Sequence, residues 1–161
     1  MAANQERNFP REAAALLVAA RSAALATVAE GKPHASLVTP ALDAHGAPLL
    51  LLSDLAAHTR HLHKNPDCSL LVVGAPTDAN PQTAPRLTLA ATAQIIDDPD
   101  ARRRFLETHP YAQQYADFAD FHLWRLVVKD AAYVGGFAAA SRLHLAALQQ
   151  EIMSIIADGA C

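Results

Sequence analysis

Between Ser53 and Arg60 the chain reads Ser-Asp-Leu-Ala-Ala-His-Thr-Arg, gathering hydroxyls, an imidazole and a guanidinium within eight residues. Hydroxyl donors, a guanidinium fork and free backbone N–H groups at a helix start suit a phosphate dianion. The same residues have an ordinary structural use, in which Ser53 or Asp54 caps the helix and Arg60 stands in solvent. His34, His58, His61 and His63 raise the question of a metal. Positions 58 and 61 share a helix face, but 63 lies off it, and no cysteine, carboxylate or HExxH spacing completes a ligand set. No metal site is therefore expected. A single imidazole is nonetheless enough to hold a haem iron from one side.

Other chemistries find little support. There is no GxSxG elbow, and Cys68 sits among apolar neighbours where a thiol is inert. Neither GxGxxG nor GxxxxGK[ST] occurs, which argues against a Rossmann dinucleotide site or a P-loop. Trp124 followed by Arg125 offers a ring and a charge to a flat ligand, although a lone Trp in a strand more often belongs to the core. The formal net charge is −3 with both signs interspersed, so no basic stripe is available to follow a nucleic-acid backbone. No segment supplies the roughly 20 apolar residues of a membrane helix, and the polar stretch Met1–Pro10 lacks the apolar run of a signal peptide. Cys68 and the terminal Cys161 read as free thiols of a reducing compartment, so a cytoplasmic protein is expected.

The elements that must position these groups follow from periodicity and turn residues. One domain is expected over residues 1–161, since 52% hydrophobic content supports a single sizeable core. Residues 1–9 are expected to be disordered, and residues 10–22 form an opening helix with Pro10 in its first turn. Leu25–Ala29, His34–Asp43 and Leu49–Ser53 are strands separated by turns bearing Gly or Pro, an antiparallel meander. Leu49–Leu52 is apolar at every position, so both faces of that strand need cover, as in a closing sheet. A short amphipathic helix over 54–64 ends at Asn65-Pro66, and Cys68–Val73 is a fourth strand.

Residues 74–85 are rich in turn formers and read as a surface flap. Arg86–Ile96 alternates as a fifth strand. Asp97-Asp98-Pro99 caps a helix to about Thr108, and a second short helix runs from Pro110 through Tyr115. His122–Val128 and Ala132–Phe137 are closing strands, with Gly135-Gly136 permitting a bulge or a close backbone approach, and residues 143–157 form a terminal amphipathic helix. The fold class is α+β, with six or seven mostly antiparallel strands in a sheet that closes and peripheral helices. A barrel of this size fills its interior with side chains, which sends ligands to its outside or to a dimer seam.

Residues 51–71, Leu-Leu-Ser-Asp-Leu-Ala-Ala-His-Thr-Arg-His-Leu-His-Lys-Asn-Pro-Asp-Cys-Ser-Leu-Leu, resemble the phosphate-binding strand-to-helix segment of pyridoxamine 5′-phosphate oxidase-like flavoproteins. Residues 74–89, from Gly74 through Pro85-Arg86 to Leu89, and Tyr133-Val-Gly-Gly-Phe-Ala are similar to the haem-utilisation branch of that superfamily. The likeness covers about residues 10–142.

What the resemblance implies is a split β-barrel and a homodimer with FMN bound between subunits. Carried over by position, Ser53, His58, Thr59 and Arg60 would contact the phosphate, with His58 where the oxidases usually have lysine. Ser36, Leu37 and Val38 would line the flavin ring with backbone groups, Arg86 and Thr88 would reach it from the partner chain, and Trp124 would flank it. The implied activity is an FMN-dependent oxidoreductase acting on a small substrate that the sequence does not name; the alternative on the same fold is a non-catalytic or haem-binding protein. Ala35 and Pro40 stand where the oxidases place arginine and lysine, and no arginine-rich pyridoxal phosphate segment is recognisable, so true pyridoxamine phosphate oxidase activity is not expected. The additional C-terminal domain of the longer haem-utilisation proteins is not seen after the terminal helix, so haem degradation is not expected either.

Overall fold

A computed structural model describes residues 7–159. Residues 1–6, in the stretch expected to be disordered, and Cys161 lie outside the described residues. Residues 7–9 are held in place: Asn8 accepts from the Arg11 N–H and caps helix α1 (Phe9–Ala19), whose Ala13, Ala14 and Leu17 are buried.

Strands β1 (Ala23–Ala29) and β2 (Lys32–Val38) form a hairpin whose turn residues Glu30 and Gly31 both have positive φ. Strands β3 (Ala41–Leu42) and β4 (Pro48–Ser53) follow, then helix α2 (Ala57–Lys64) and strands β5 (Asp67–Val73) and β6 (Arg86–Ile95). Helix α3 (Pro99–Thr108), strand β7 (Phe121–Val134), strand β8 (Ala140–Arg142) and helix α4 (Leu145–Gly159) complete the chain.

Among the described residues eight strands belong to one sheet in the order β2-β1-β5-β6-β7-β4-β3, with β8 beside β7, and every pairing is antiparallel. The two edge strands, β2 and β3, are separated only by Thr39 and Pro40. A sheet whose opposite edges are consecutive in the chain must curl until they approach, which makes a half-closed barrel with helices around it. The main core joins the inner face of this sheet, including Leu25, Leu50, Leu70, Leu89 and Leu126, to α1, α2 and α4. A smaller cluster packs Phe105 of α3 against Leu49 and Leu123 on the other face. Burial of β4 on both faces accounts for its unbroken apolar run.

The expected segmentation differs from the structure at two strands, and β8 is a strand that the sequence pattern did not mark. His34–Asp43 is two strands, because Thr39-Pro40 interrupts it and proline cannot supply a ladder N–H. The two closing strands are a single strand, β7, kept continuous by a bulge: Val128 opposes Ala91, Asp130 opposes Ala90, and Lys129 is the extra residue. The second short helix expected from Pro110 is a 3₁₀ helix, Pro110–Gln114. The flap over 74–85 carries one 3₁₀ turn, Pro81–Thr83, capped by Asn80. Among the described residues no helix is long and apolar enough to cross a membrane.

Candidate functional site

Helix α2 lies across the β1–β2 hairpin. Leu62 on one face of α2 joins the main core, and Asn65-Pro66 ends the helix. His61, His63 and Lys64 stand in its last turn, where the helix dipole favours positive charge. Beside Leu62, His58 and His61 set two imidazoles on the hairpin. His58 Nδ1 is 3.0 Å from Ser36 Oγ, and His61 Nδ1 is 3.0 Å from Thr27 Oγ1. His34, directly opposite Thr27 in the β1–β2 register, meets the His61 ring edge-on with centroids 5.2 Å apart. Burial, with His34 and His61 adding to it, holds His58 below the usual imidazole range, so its neutral form is favoured. In a ring whose Nδ1–H is donated to a hydroxyl, Nε2 keeps its lone pair.

The turn before α2 is organised differently. Ser53 Oγ donates to Asp120 Oδ2 at 2.5 Å and accepts from the Leu55 N–H, while the Asp54 N–H donates to the Asp120 carbonyl. Asp54 in turn faces two imidazoles, with His122 Nε2 at 3.0 Å and His63 Nε2 at 3.5 Å. The Arg60 guanidinium donates to the Leu55 carbonyl at 2.5 Å. Ala56 gives α2 no side-chain cap, so the first-turn N–H groups of the helix remain available.

The structure therefore brings Ser36, His58, His61 and His34 together, with Ser53 at the adjoining turn and Thr59 and Arg60 on α2 itself. Thr59 is fully buried and points inward, away from any surface ligand. Val38 is likewise buried, whereas Leu37 projects outward at 77% exposure. Thr88 is exposed on the outer sheet face, and Arg86 donates to the carbonyls of Gln82 and Ala84 in its own flap. Neither stands beside α2 of the same chain. Trp124 is corrected from a flanking to a core residue: it is 3% exposed, packed edge-on against His63, and offers no free ring face. Cys68 has its thiol pushed up to about 11 by burial, in keeping with an inert residue. Among the described residues no group of three His, Cys, Asp or Glu side chains is arranged to hold a metal ion.

Sequence reasoning missed Thr27, Asp120 and His122 as members of this region, and gave Asp54 only a capping role that it does not take. Asp54 and His122 are far apart in the chain and meet only because β4 pairs with β7 in a register that sets Leu52 opposite His122. The alternation of β1, with Ala23, Leu25 and Thr27 buried, was the one local signal for Thr27.

The curled antiparallel sheet and the helix inserted after β4 are matched, over residues 9–135, by the family model described as pyridoxamine 5′-phosphate oxidase. The chain belongs to this family. It is 41% identical over 114 residues to the chloroplastic non-canonical haem oxygenase HOZ of Arabidopsis thaliana, covering 69% of this chain and 34% of that protein. The solved structure of a haem-binding protein from Mycobacterium smegmatis is 32% identical and superposes with a TM-score of 0.83, covering 90% of this chain and 61% of that one. The haem storage protein HutZ of Vibrio cholerae shares the fold at 23% identity and a TM-score of 0.67, covering 76% and 92% respectively. The chain thus spans about a third of the plant relative and three fifths of the mycobacterial one.

Proposed function

We propose that this chain is a haem-binding protein of the pyridoxamine 5′-phosphate oxidase family, with His58 as the imidazole that meets the iron. One observation carries the reading: His58 is anchored through Nδ1 by Ser36 and favoured in its neutral form by its surroundings. Iron takes a neutral imidazole through one nitrogen, and a hydrogen bond at the other fixes the ring's tautomer and direction. A phosphate, by contrast, gains little from an uncharged ring. The relatives support the same choice, since two proteins above 30% identity are named for haem oxygenation and haem binding.

The second reading, an FMN-dependent oxidoreductase acting on a small substrate, is favoured by the uncapped start of α2 and the exposed Arg60 beside it. Against it, Ser53 and Arg60 already bond to their own chain, and the Asp54 carboxylate and that of Asp120, brought in from the start of β7, stand beside them. A homodimer belongs to both readings. Leu37, Ala24, Leu71, Thr88 and Ala132 lie side by side across five strands on the outer face, a smooth and largely apolar platform that a second copy would cover. Arg86 and Thr88 lie on that face and would reach a ligand only across such a seam. The cytoplasmic setting is likewise a proposal, resting on the free thiol of Cys68.

Titration of the purified protein with hemin and with FMN separates the readings by absorbance. The haem proposal expects a saturable Soret band that His58→Ala abolishes or shifts, with FMN fluorescence unquenched. FMN quenching without a Soret band overturns it, as does a Soret band that His58→Ala leaves unchanged. Sedimentation as a monomer at micromolar concentration would remove the dimer.

A further inference from the structure

A cavity of about 490 Å³ lies between the sheet and helix α4, sharing no residue with the histidine cluster beneath α2. Its apolar lining comes from Leu17, Leu89, Leu126, Val128, Leu148 and Ile152. The Lys129 bulge breaks the alternation of β7 nearby, and the consecutive residues 125–128 all reach this cavity. The β3–β4 turn forms the rim: Gln149 donates to the His45 carbonyl, and Gly46 sits so close to α4 that a Cβ there would come 2.7 Å from Ile152 Cγ2.

One end of the cavity is charged. Arg125 donates from Nε to Asp43 Oδ2 at 2.7 Å and from Nη2 to Asp98 Oδ2 at 2.9 Å. Asp43 is also tied to the N–H groups of His45 and Ala47, and Asp98 caps α3 through the Ala101 N–H. Two carboxylates against one guanidinium leave an excess of one negative charge. Asp98, whose side chain is 37% exposed, retains lone pairs that these bonds do not use.

We infer that this cavity is a binding site for a small amphipathic amine, its apolar body against α4 and its ammonium group at Asp98. The size and the mixed lining are those of a ligand pocket: a mainly hydrophobic wall with a few polar groups at one end. An ammonium supplies both the missing positive charge and the donors that Asp98 can accept, whereas a carboxylate in the same place would face two negative groups. The inference is independent of the haem reading.

The test uses 4-phenylbutylamine, 4-phenylbutanoate and 4-phenylbutanol as probes of matched body, titrated calorimetrically into the full chain. The amine is expected to bind saturably at one site per chain, at least tenfold more tightly than the alcohol, with the carboxylate weakest. Asp98→Asn keeps a residue able to cap α3 but removes the charge, and should bring the amine down to the affinity of the alcohol. Val127→Trp, or Leu145→Trp should the first fail to fold, should abolish binding of both. No saturable binding of the amine, equal affinity for amine and carboxylate, or binding unaltered by the folded tryptophan variant would overturn the inference.

Discussion

Two clusters of ionisable side chains serve the molecule in opposite ways. Beneath α2, His58 and His61 are held by the neutral hydroxyls of Ser36 and Thr27, and each ring spends one nitrogen on its anchor. Beside α4, Asp43, Arg125 and Asp98 hold one another by charge, and Asp43 is satisfied on every side. A hydroxyl anchor positions a ring while leaving its second nitrogen for an outside partner. A mutual ion pair spends its strongest bonds on the fold and leaves only surplus charge to act outward. Removing the Ser36 anchor should therefore disturb ligand binding in the first cluster, and removing Asp43 should disturb folding in the second.

The largest expected effect is on the charged cluster. Asp43→Ala strands a guanidinium donor and two backbone N–H groups in a buried place, and should cost about 3–5 kcal/mol in denaturant unfolding. A loss under 1 kcal/mol would show that the cluster is not structural. Ser36→Ala should leave stability nearly unchanged but weaken hemin binding by about 10–100-fold, the usual effect of removing the group that orients a ligating ring. Equal loss of stability and affinity would erase the contrast between the clusters.

A smaller effect concerns pH. Because the folded state disfavours protonated His58, its contribution to stability is complete above the ordinary value of 6.5 and is lost as pH falls through the lower, folded value. Unfolding midpoints should thus decline below about pH 6.5, and His58→Gln should flatten that slope. The smallest effect is Arg60→Ala, which on the haem reading leaves hemin affinity within about twofold. On the flavin reading the same change should weaken FMN by about 1.5–3 kcal/mol, the value of a charge-assisted bond.

Much of this architecture was legible in the residues. Gly and Pro between apolar runs marked the hairpins, the continuous apolar stretch of β4 signalled cover on both faces, and Asn65-Pro66 marked the end of α2. The likeness over residues 51–71 indicated the family and drew attention to His58. Long-range register was not legible. The pairing of Ser53 with Asp120, of Asp54 with His122 and of Asp43 with Arg125 depends on which strands become neighbours, and nothing in the local sequence records that. The continuity of β7 was hidden for a related reason: Lys129 breaks the alternation, and only the opposing strand shows that the break is a bulge rather than a turn.

The side-by-side packing of α1 and α4 has a consequence for how the chain can be rewired. Asn8 and Arg11 at the beginning of α1 both reach Glu151, and Arg11 also reaches Ser154, so the first helix starts beside the body of the last. A flexible joint from the end of α4 back to Phe9 would have to run back along the roughly 12 Å of helix beyond Glu151, and new ends could be opened in the solvent-exposed stretch 75–80, where circular permutation is best tolerated. Such a rearranged chain would keep both clusters while changing the order in which their strands are made, separating the physics of the sites from the history of their assembly.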